Sequence, residues 1–393
     1  MIATLRFMKF FFAVLAIAII VNIYIPHAAD AAGITVYKKD DKFVKLGGRI
    51  QLQYHFKDPD SGDSTDKVFF RRFRPYIEGS LHKDWMGKFQ WDMGKAEGKN
   101  EIAIKDAYMQ YKGFHNIKVS IGNKNFPFSR EFLTSSKKQQ LVERTFVGDH
   151  NYGTPDRNVG VHITGHNNDK KLTYGFSVAS ASIDPDANKL DFDTPVNRNE
   201  DFNEGWIVGG RLDYHPLGNL KFSQGDFKRK TKATISIAAF TWNNDGDNNT
   251  RTTNGVADDL SKPDVDKVTG FELSGAFRSS GLSVDAEYNL FKADTVDANV
   301  TDGIYKNGSS DLKNYSIEGG YMVVPGKIEL VAAYQAQDAD NYADLWTRTS
   351  VGTNWFIQKQ DIKMQLTYRM GKNLKGVTDD NENELFVQAQ YVF

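Results

Sequence analysis

The chain of 393 residues contains no cysteine. That excludes disulfides, thiolate zinc sites, iron–sulfur ligation and covalently attached c-type haem, which needs C-x-x-C-H. A surplus of basic charge is missing too. Lys and Arg number 49 against 50 Asp and Glu, so the electrostatic footprint of a nucleic-acid-binding domain is absent. Beyond the N-terminus no stretch approaches the ~20 apolar residues of a membrane helix. There is no polar low-complexity tract, and with 40% apolar and 25% charged residues the composition is that of a chain that folds. Neither G-x-S-x-G nor H-E-x-x-H occurs, so no enzyme is indicated and no cofactor is expected.

The one conventional hydrophobic segment is N-terminal. Arg6 and Lys9 precede FFAVLAIAIIVNIYI, and PHAADAAG then sets Ala29 and Ala31 at the small-residue spacing that signal peptidase reads. Residues 1–32 read as a secretory signal peptide, with an anchoring helix as the alternative because the run is close to the upper length of a signal core. Residues 33–393 are then the mature domain. If that domain enters a membrane, it does so as strands.

What the sequence has is alternation. GLSVDAEYNL sets Leu282, Val284, Ala286, Tyr288 and Leu290 against Ser283, Asp285, Glu287 and Asn289 on opposite faces of an extended strand, and KLGGRIQLQYHF and DIKMQLTYRM do likewise. Sixteen such segments are read, near 44–56, 67–81, 87–96, 101–112, 117–124, 158–167, 171–180, 205–214, 231–242, 268–278, 281–292, 313–323, 326–336, 349–357, 361–371 and 384–393. Their connections mostly alternate between tight turns and long polar loops, the long ones at 125–157, 181–204, 243–267, 293–312 and 372–383. A soluble sandwich or propeller also alternates, but its strands usually run ~5–6 residues around a shared apolar core. Strands of ~10 residues, even in number, with charge recurring on the non-apolar face, define the fold class instead. It is all-β: a sixteen-stranded antiparallel transmembrane β-barrel with short turns at one end and long loops at the other.

Three stretches carry a family resemblance: VFFRRFRPYIEGSLHKDWMGKFQWDMG, then IAIKDAYMQYKGFHNIKVSIGNKNFPFSREFLTSSKKQQLVERTF, then RNVGVHITG. In order and spacing they resemble the phosphate-selective porin O and P family, best over about 44–180. The resemblance implies an outer-membrane porin of a Gram-negative bacterium, surrounded by outer-membrane lipid, commonly a homotrimer and in some members favouring anions such as phosphate or other oxyanions. It matches the family's Arg-rich second strand to Arg71, Arg72 and Arg74, and its DAY strand to Asp106, Ala107 and Tyr108. It also implies an inward-folded outer loop over Phe126–Arg144, with Pro127, Arg130, Glu131, Lys137, Lys138, Glu143 and Arg144 at a constriction. The chain departs from the family in its slightly acidic mature charge and in carrying Arg130 where the family pattern has Leu. As in outer-membrane proteins generally, the last strand with Tyr391 and the terminal Phe393 resembles the signal read by the β-barrel assembly machinery. The same rings also suit an interfacial anchor.

Sixteen strands leave a water-filled lumen rather than a packed core. With the polar faces inward, the basic residues Arg49, Arg72, Arg74, Lys88, Lys118, Lys124 and Arg211 line the first half of the wall. The acidic residues Glu272, Asp285, Glu287, Glu318 and Glu329 line a later stretch, with Asp106 on the matched strand. Opposed walls of this kind would set up a field across the constriction, unless the charges pair with one another and stiffen the wall. Arg72 and Arg74, ~7 Å apart on one strand face, are the expected anion-handling pair. His162 and His166 share a face but stand ~13 Å apart, too far to grip one ion, so no metal is expected. The loop WNNDGDNNTRTTNGVADDLSKPDVD has oxygen ligands without EF-hand spacing and reads as solvated loop. Two functions compete. One is a passive channel for small anionic or neutral hydrophilic solutes. The other is a sleeve around a partner such as a multihaem cytochrome in a trans-outer-membrane electron conduit.

Overall fold

The computed structural model describes residues 33–94, 102–194, 203–246 and 262–393. The expected signal peptide, and residues 247–261 of the oxygen-rich loop, lie outside the described residues. Twenty strands form one antiparallel sheet. In chain order they are β1 (Ile34–Lys39), β2 (Lys42–Gly47), β3 (Arg49–Pro59), β4 (Thr65–Phe73), β5 (Tyr76–His82), β6 (Trp85–Asp92), β7 (Ala103–Tyr111), β8 (Ile117–Asn125), β9 (Arg157–His166) and β10 (Leu172–Asp184). There follow β11 (Asp191–Asp193), β12 (Asn203–Tyr214), β13 (Lys232–Asn244), β14 (Val265–Ser279), β15 (Leu282–Thr295), β16 (Ser309–Val324), β17 (Ile328–Asp338), β18 (Trp346–Gln358), β19 (Ile362–Lys372) and β20 (Glu382–Val392). One helical turn, α1 (Arg130–Leu133), lies in the connection from β8 to β9.

From β5 to β20 sequence neighbours pair, except that β12 pairs with β10 as well as β13, and β11 only adds to β10. β20 pairs with β3, and β3 with β4. Two expected strands are interrupted. One divides into β2 and β3 at Gly48, the other into β4 and β5 at Arg74–Pro75, where Pro75 has no N–H to give the ladder. The short strands β1 and β11 are not announced by the alternation.

The break at Gly48 receives the chain end. The Gly48 amide donates to the Phe393 carbonyl at 2.8 Å and the Phe393 amide to the Gly48 carbonyl at 3.1 Å. A Cβ at position 48 would stand 2.7 Å from the Phe393 ring, so only glycine leaves that ring its place. Tyr391 lies half-exposed on the outer face and stacks on Phe393 with centroids 6.0 Å apart.

Strand periodicity sorts side chains in the opposite sense to a water-soluble sheet. Along β12, Asn203, Ile207, Arg211 and Asp213 are buried while Trp206, Val208, Leu212 and Tyr214 are exposed. Across the sheet Trp206, Ile235, Ile317 and Leu330 are more than half exposed, whereas Glu272 and Glu329 have no exposure at all and Lys363 has 1%. An apolar exterior over a charged interior is stable only against hydrocarbon.

Tight turns at 83–84, 112–116, 167–171, 280–281, 325–327 and 359–361 mark one end of the sheet. At Ser280 and Gly281 both φ values are positive, 53° and 97°, as a two-residue hairpin turn with the strands' own twist requires. The connection 215–231 belongs to the same end but is long, against the pattern. At the other end 126–156 is the longest connection whose residues are all described, and it folds inside the sheet. Its Phe126 and Phe128, wholly buried, join Phe192, Phe240, Trp242 and Phe291 in an aromatic cluster with centroids 5.0–6.3 Å apart. Burying each ring contributes about 1.5–3 kcal/mol.

The outer face supplies a test. Ile317→Arg, placed against hydrocarbon near mid-strand, should lower the unfolding free energy in liposomes by about 2–4 kcal/mol. Denaturant titration followed by tryptophan fluorescence measures it. Stability within 0.5 kcal/mol of wild type, about the scatter of an ordinary surface change, would place that face in water.

Candidate functional site

Loop 126–156 keeps its shape through its own polar groups. The Ser129 hydroxyl accepts from the Phe132 amide at 3.0 Å and caps α1. The Glu131 carboxylate accepts from the amide (3.0 Å) and hydroxyl of Thr145, drawing the two arms of the loop together. Burial pushes the Glu131 carboxyl up from its ordinary value.

The loop is bound to one side of the sheet by its polar inner row. Arg130 Nε donates to Asp285 at 3.1 Å, the Glu131 amide to Glu287 at 3.0 Å, Gln140 Nε2 to Glu329 at 2.7 Å and the Phe146 amide to Gln335 at 2.9 Å. In return the loop carbonyls of Gln139, Gln140 and Val147 accept from Lys363, Asn354 and Asn289. Five of the six expected acidic wall residues lie on this side of the sheet. Glu272, Asp285, Glu287, Glu318 and Glu329 point inward, but loop 126–156 or segment 215–231 covers them, and none reaches the open cavity. The expected pair of facing walls gives way to an acidic wall used as an anchor. Asp285, Glu287 and Glu329 meet loop 126–156, Glu318 meets Gln224 of segment 215–231, and Glu272 meets Arg211.

What stays open is a cavity of about 980 Å³ between the loop and the inner rows of β3 to β12. Arg49, Arg72, Arg74, Lys88, Lys124 and Arg211 all border it, together with Asp106. Lys118 does not: it lies exposed near the start of β8, toward the short-turn end. Of the loop residues, Pro127, Lys137, Glu143 and Arg144 face the cavity, Arg130 and Glu131 turn to the wall, and the Lys138 carbonyl accepts from Gln224. His162 and His166 do not meet. His162 is buried against Ser177 (2.8 Å) and two backbone carbonyls, and His166 faces the Asn167 carbonyl.

Two cations reach the cavity that strict alternation would send outward. The register slips between Gln51 and Leu52, leaving Arg71 as an extra residue opposite β3, and again between Gln90 and Trp91, leaving Lys105 extra opposite β6. Each bulge turns one more basic side chain inward. The doubled arginine of RRFR, which breaks the alternation, is the only trace of the first in the sequence.

Among the described lining residues twelve are Lys or Arg and seven are Asp or Glu, a basic surface in a chain of net charge −1. Half of these cations are paired: Arg71 with Glu143, Arg74 with Asp92 at 2.5 Å, Lys88 with Asp106 at 2.5 Å, Lys105 with Asp156, Arg157 with both aspartates, and Arg211 with Asp213 and Glu272. Arg72 and Arg74 therefore do not act alike, because Arg74 is neutralised. Arg49 and Arg72 are the contrast. Both are more than nine-tenths buried, each gives one hydrogen bond, to Ser135 (2.9 Å) and Gln51 (3.1 Å), and neither has a carboxylate within 4.0 Å among the described residues. Nε of each is buried without a partner. They stand diagonally on neighbouring strands, since Gln51 faces Arg72 and Arg49 exchanges backbone hydrogen bonds with Arg74. A buried guanidinium with no carboxylate is costly unless an anion comes to it.

At the far side of the loop His150 Nδ1 meets Asp191 at 2.8 Å, and Asp193 lies within 4.8 Å of both. Burial opposes protonation of His150, but Asp191, with Asp149 and Asp156 behind it, holds the imidazole above its ordinary value. The contact is an ion pair pinning the loop to β11, and Lys189 at 3.9 Å shares Asp191. It is at full strength below pH 6.5, the ordinary histidine value, and fades as pH rises past the elevated one.

Arg71 grips Glu143 in a fork, Nε to Oε1 at 2.7 Å and an NH2 nitrogen to Oε2 at 3.1 Å. Burial alone would raise the Glu143 carboxyl, but Arg71 and then Arg72 hold it down at about 2. This tether thus acts in full above the ordinary carboxylate range and is lost as pH falls toward about 2. Single-channel current should stay quiet at pH 4 and break into flicker only as pH approaches about 2. Glu143→Gln, which removes a charged fork of about 1.5–3 kcal/mol, should flicker at neutral pH. A quiet Glu143→Gln trace would show that the fork does not hold the loop.

Comparison with known proteins agrees with this geometry. The chain is 25% identical to Porin O of Pseudomonas aeruginosa over 407 aligned residues, covering 92% of this chain and 91% of that one. In fold it is similar to an anion-selective porin from Comamonas acidovorans, with a TM-score of 0.59 at 12% identity over 90% of this chain and all of that one. It is similar also to the trimer form of OmpT from Vibrio cholerae, with a TM-score of 0.56 at 14% identity and the same coverage. Residues 44–393 match the family described as phosphate-selective porin O and P. With its apolar exterior, its polar interior and this match over most of its length, the chain belongs to that family and is a protein of the Gram-negative outer membrane.

Proposed function

We propose that this protein is a passive channel for small hydrophilic solutes that favours anions, with the 980 Å³ cavity as its narrow passage. In this reading the pairing of β20 with β3 closes a sixteen-stranded barrel, β1 and β11 being additions at its two ends. Residues 1–32 are removed on export, Tyr391 and Phe393 present the last strand to the assembly machinery, and the channel works as a homotrimer. The anion selectivity named for the Comamonas porin and the trimer of OmpT support the corresponding parts.

One observation carries the preference for anions: Arg49 and Arg72 are buried beside the cavity with no carboxylate within 4.0 Å among the described residues. An anion passing them meets two guanidinium groups on diagonal strand positions, which stand ~7–8 Å apart in such a sheet. That is within one Debye length at physiological salt, so an anion leaving one is already attracted by the other. Lys124 and Lys137, also without a carboxylate partner among the described residues, extend the basic surface. At an effective dielectric of about 20 a charge pair at 4 Å is worth ~4 kcal/mol, and less in a wet passage, which selects without trapping. A sleeve around a partner protein would need an empty lumen, and here loop 126–156 and segment 215–231 occupy it.

Arg49→Ala with Arg72→Ala should lower the anion-to-cation permeability ratio about tenfold, the scale of ~1.4 kcal/mol, read from reversal potentials across a salt gradient. Arg74→Ala should chiefly weaken folding, because Asp92, which also accepts from the Phe73 and Gly94 amides, loses its counterion. An unchanged reversal potential in the double variant would make both arginines structural.

A further inference from the structure

We infer that segment 215–231, rising from the short-turn end, is a plug that removes the acidic half of the lumen from the solute path and so sets charge selectivity together with the arginines. The inference rests on the channel reading above.

Turns at that end are otherwise tight. This one enters the lumen. Leu220, Gln224 and Asp226 are more than nine-tenths buried, and Gln224 uses its whole amide and backbone. Its amide donates to the Lys138 carbonyl at 3.1 Å and its Oε1 accepts from the Gln140 amide at 2.7 Å, so it clasps loop 126–156 from below. Its Nε2 donates to Glu318 at 3.2 Å and its carbonyl accepts from Gln360 at 3.2 Å, so the same residue ties the loop to β16 and to the β18–β19 turn. Asp226 accepts from the Gly281 amide at 2.8 Å, in the β14–β15 turn, and Phe227 packs edge-on against Phe356 of β18 at 4.7 Å. The Ser223 carbonyl accepts from Arg278 at 2.8 Å. The segment therefore spans the lower ends of β14 to β19, beneath the strands that carry Asp285, Glu287, Glu318 and Glu329.

Phe222 marks the boundary. Its ring faces Arg130 at 5.5 Å and Arg211 at 5.6 Å, and it borders the cavity with Lys221. On the cavity side of this ring lies the basic surface. Behind it lie the carboxylates, and between loop, plug and wall Asp285, Glu287 and Glu318 border a space of about 10 Å³, room for about one water. Glu287 and Glu318 each keep one buried oxygen without a partner there, and neither forms an ion pair among the described residues. Left open to water, that half of the lumen would attract cations.

The test uses the full-length chain, a variant lacking residues 219–226, and the absence of native cysteine. Removing the segment should raise single-channel conductance and lower the anion-to-cation permeability ratio on the order of threefold, the effect of a few screened carboxylates in water. Ser283 is fully buried behind the loop, its hydroxyl donating to Gln140 at 3.0 Å. Ser283→Cys should resist a charged methanethiosulfonate reagent in the full-length chain and react when the segment is removed. Lys88→Cys, at the cavity, should react in both. Ready labelling of Ser283→Cys in the full-length chain would overturn the plug, and so would a shortened chain with larger conductance and unchanged selectivity. Should the shortened chain not fold, Phe222→Ala with Gln224→Ala serves in its place, with the same two readouts. A full-length chain that conducts nothing would sink the channel reading, while thiol labelling would still decide whether the segment seals the acidic half.

Discussion

Five inward carboxylates on four adjacent strands cannot stay ionised together in a space closed to water unless each finds a donor. Glu272 takes Arg211, Asp285 takes Arg130 and Arg278, Glu287 takes the Glu131 amide, Glu318 takes Gln224, and Glu329 takes Gln140 with Asn354. Most of these donors lie on loop 126–156 or on segment 215–231. The carboxylates thus fix the inner elements to one side of the sheet, and the inner elements make the wall hospitable to carboxylates. The position of the cavity follows, because the side of β3 to β12 is what is left to water.

The sign of the cavity is consequently not the sign of the chain. Net charge is −1, yet the passage is basic, since acidic side chains are consumed as anchors while basic ones remain at the surface of the cavity. Two bulges add Arg71 and Lys105 to that surface, and each then meets a carboxylate at or beside the loop, Glu143 and Asp156. The paired cations hold the walls. Arg49 and Arg72 have no carboxylate within 4.0 Å among the described residues, and in the proposed channel they are the groups a solute would meet. Such a separation of structural from functional charge cannot be read from a count of residues.

The loop is held by contacts of two kinds, which differ in what weakens them. Aromatic packing of Phe126 and Phe128 against Phe240 and Phe291 is indifferent to pH. The Arg71–Glu143 fork survives until strong acid, and the His150–Asp191 pair weakens on the alkaline side. Between these limits both ionic tethers hold the second half of the loop, while the rings of Phe126 and Phe128 hold its start.

Alternation in GLSVDAEYNL or DIKMQLTYRM was enough to specify strands, their faces and their length, because a two-residue period against a solvent boundary is a local property of the chain. The family resemblance located the inward loop and the arginine strand for the same reason, each being a contiguous run. Covering of Glu287 and Glu318, pairing of Arg74 with Asp92, the inward turn of Arg71 and Lys105, and the entry of segment 215–231 were not legible. All of them depend on which distant segment lies opposite, Gln224 meeting Gln140 and Glu318 across 84 and 94 residues. The sequence by itself determined a charged inner face and an apolar outer one. Only tertiary structure decided which inner charges are neutralised and which remain for a solute, because the strength of a charge depends on its nearest partner and its access to water, and both are properties of the assembled interior.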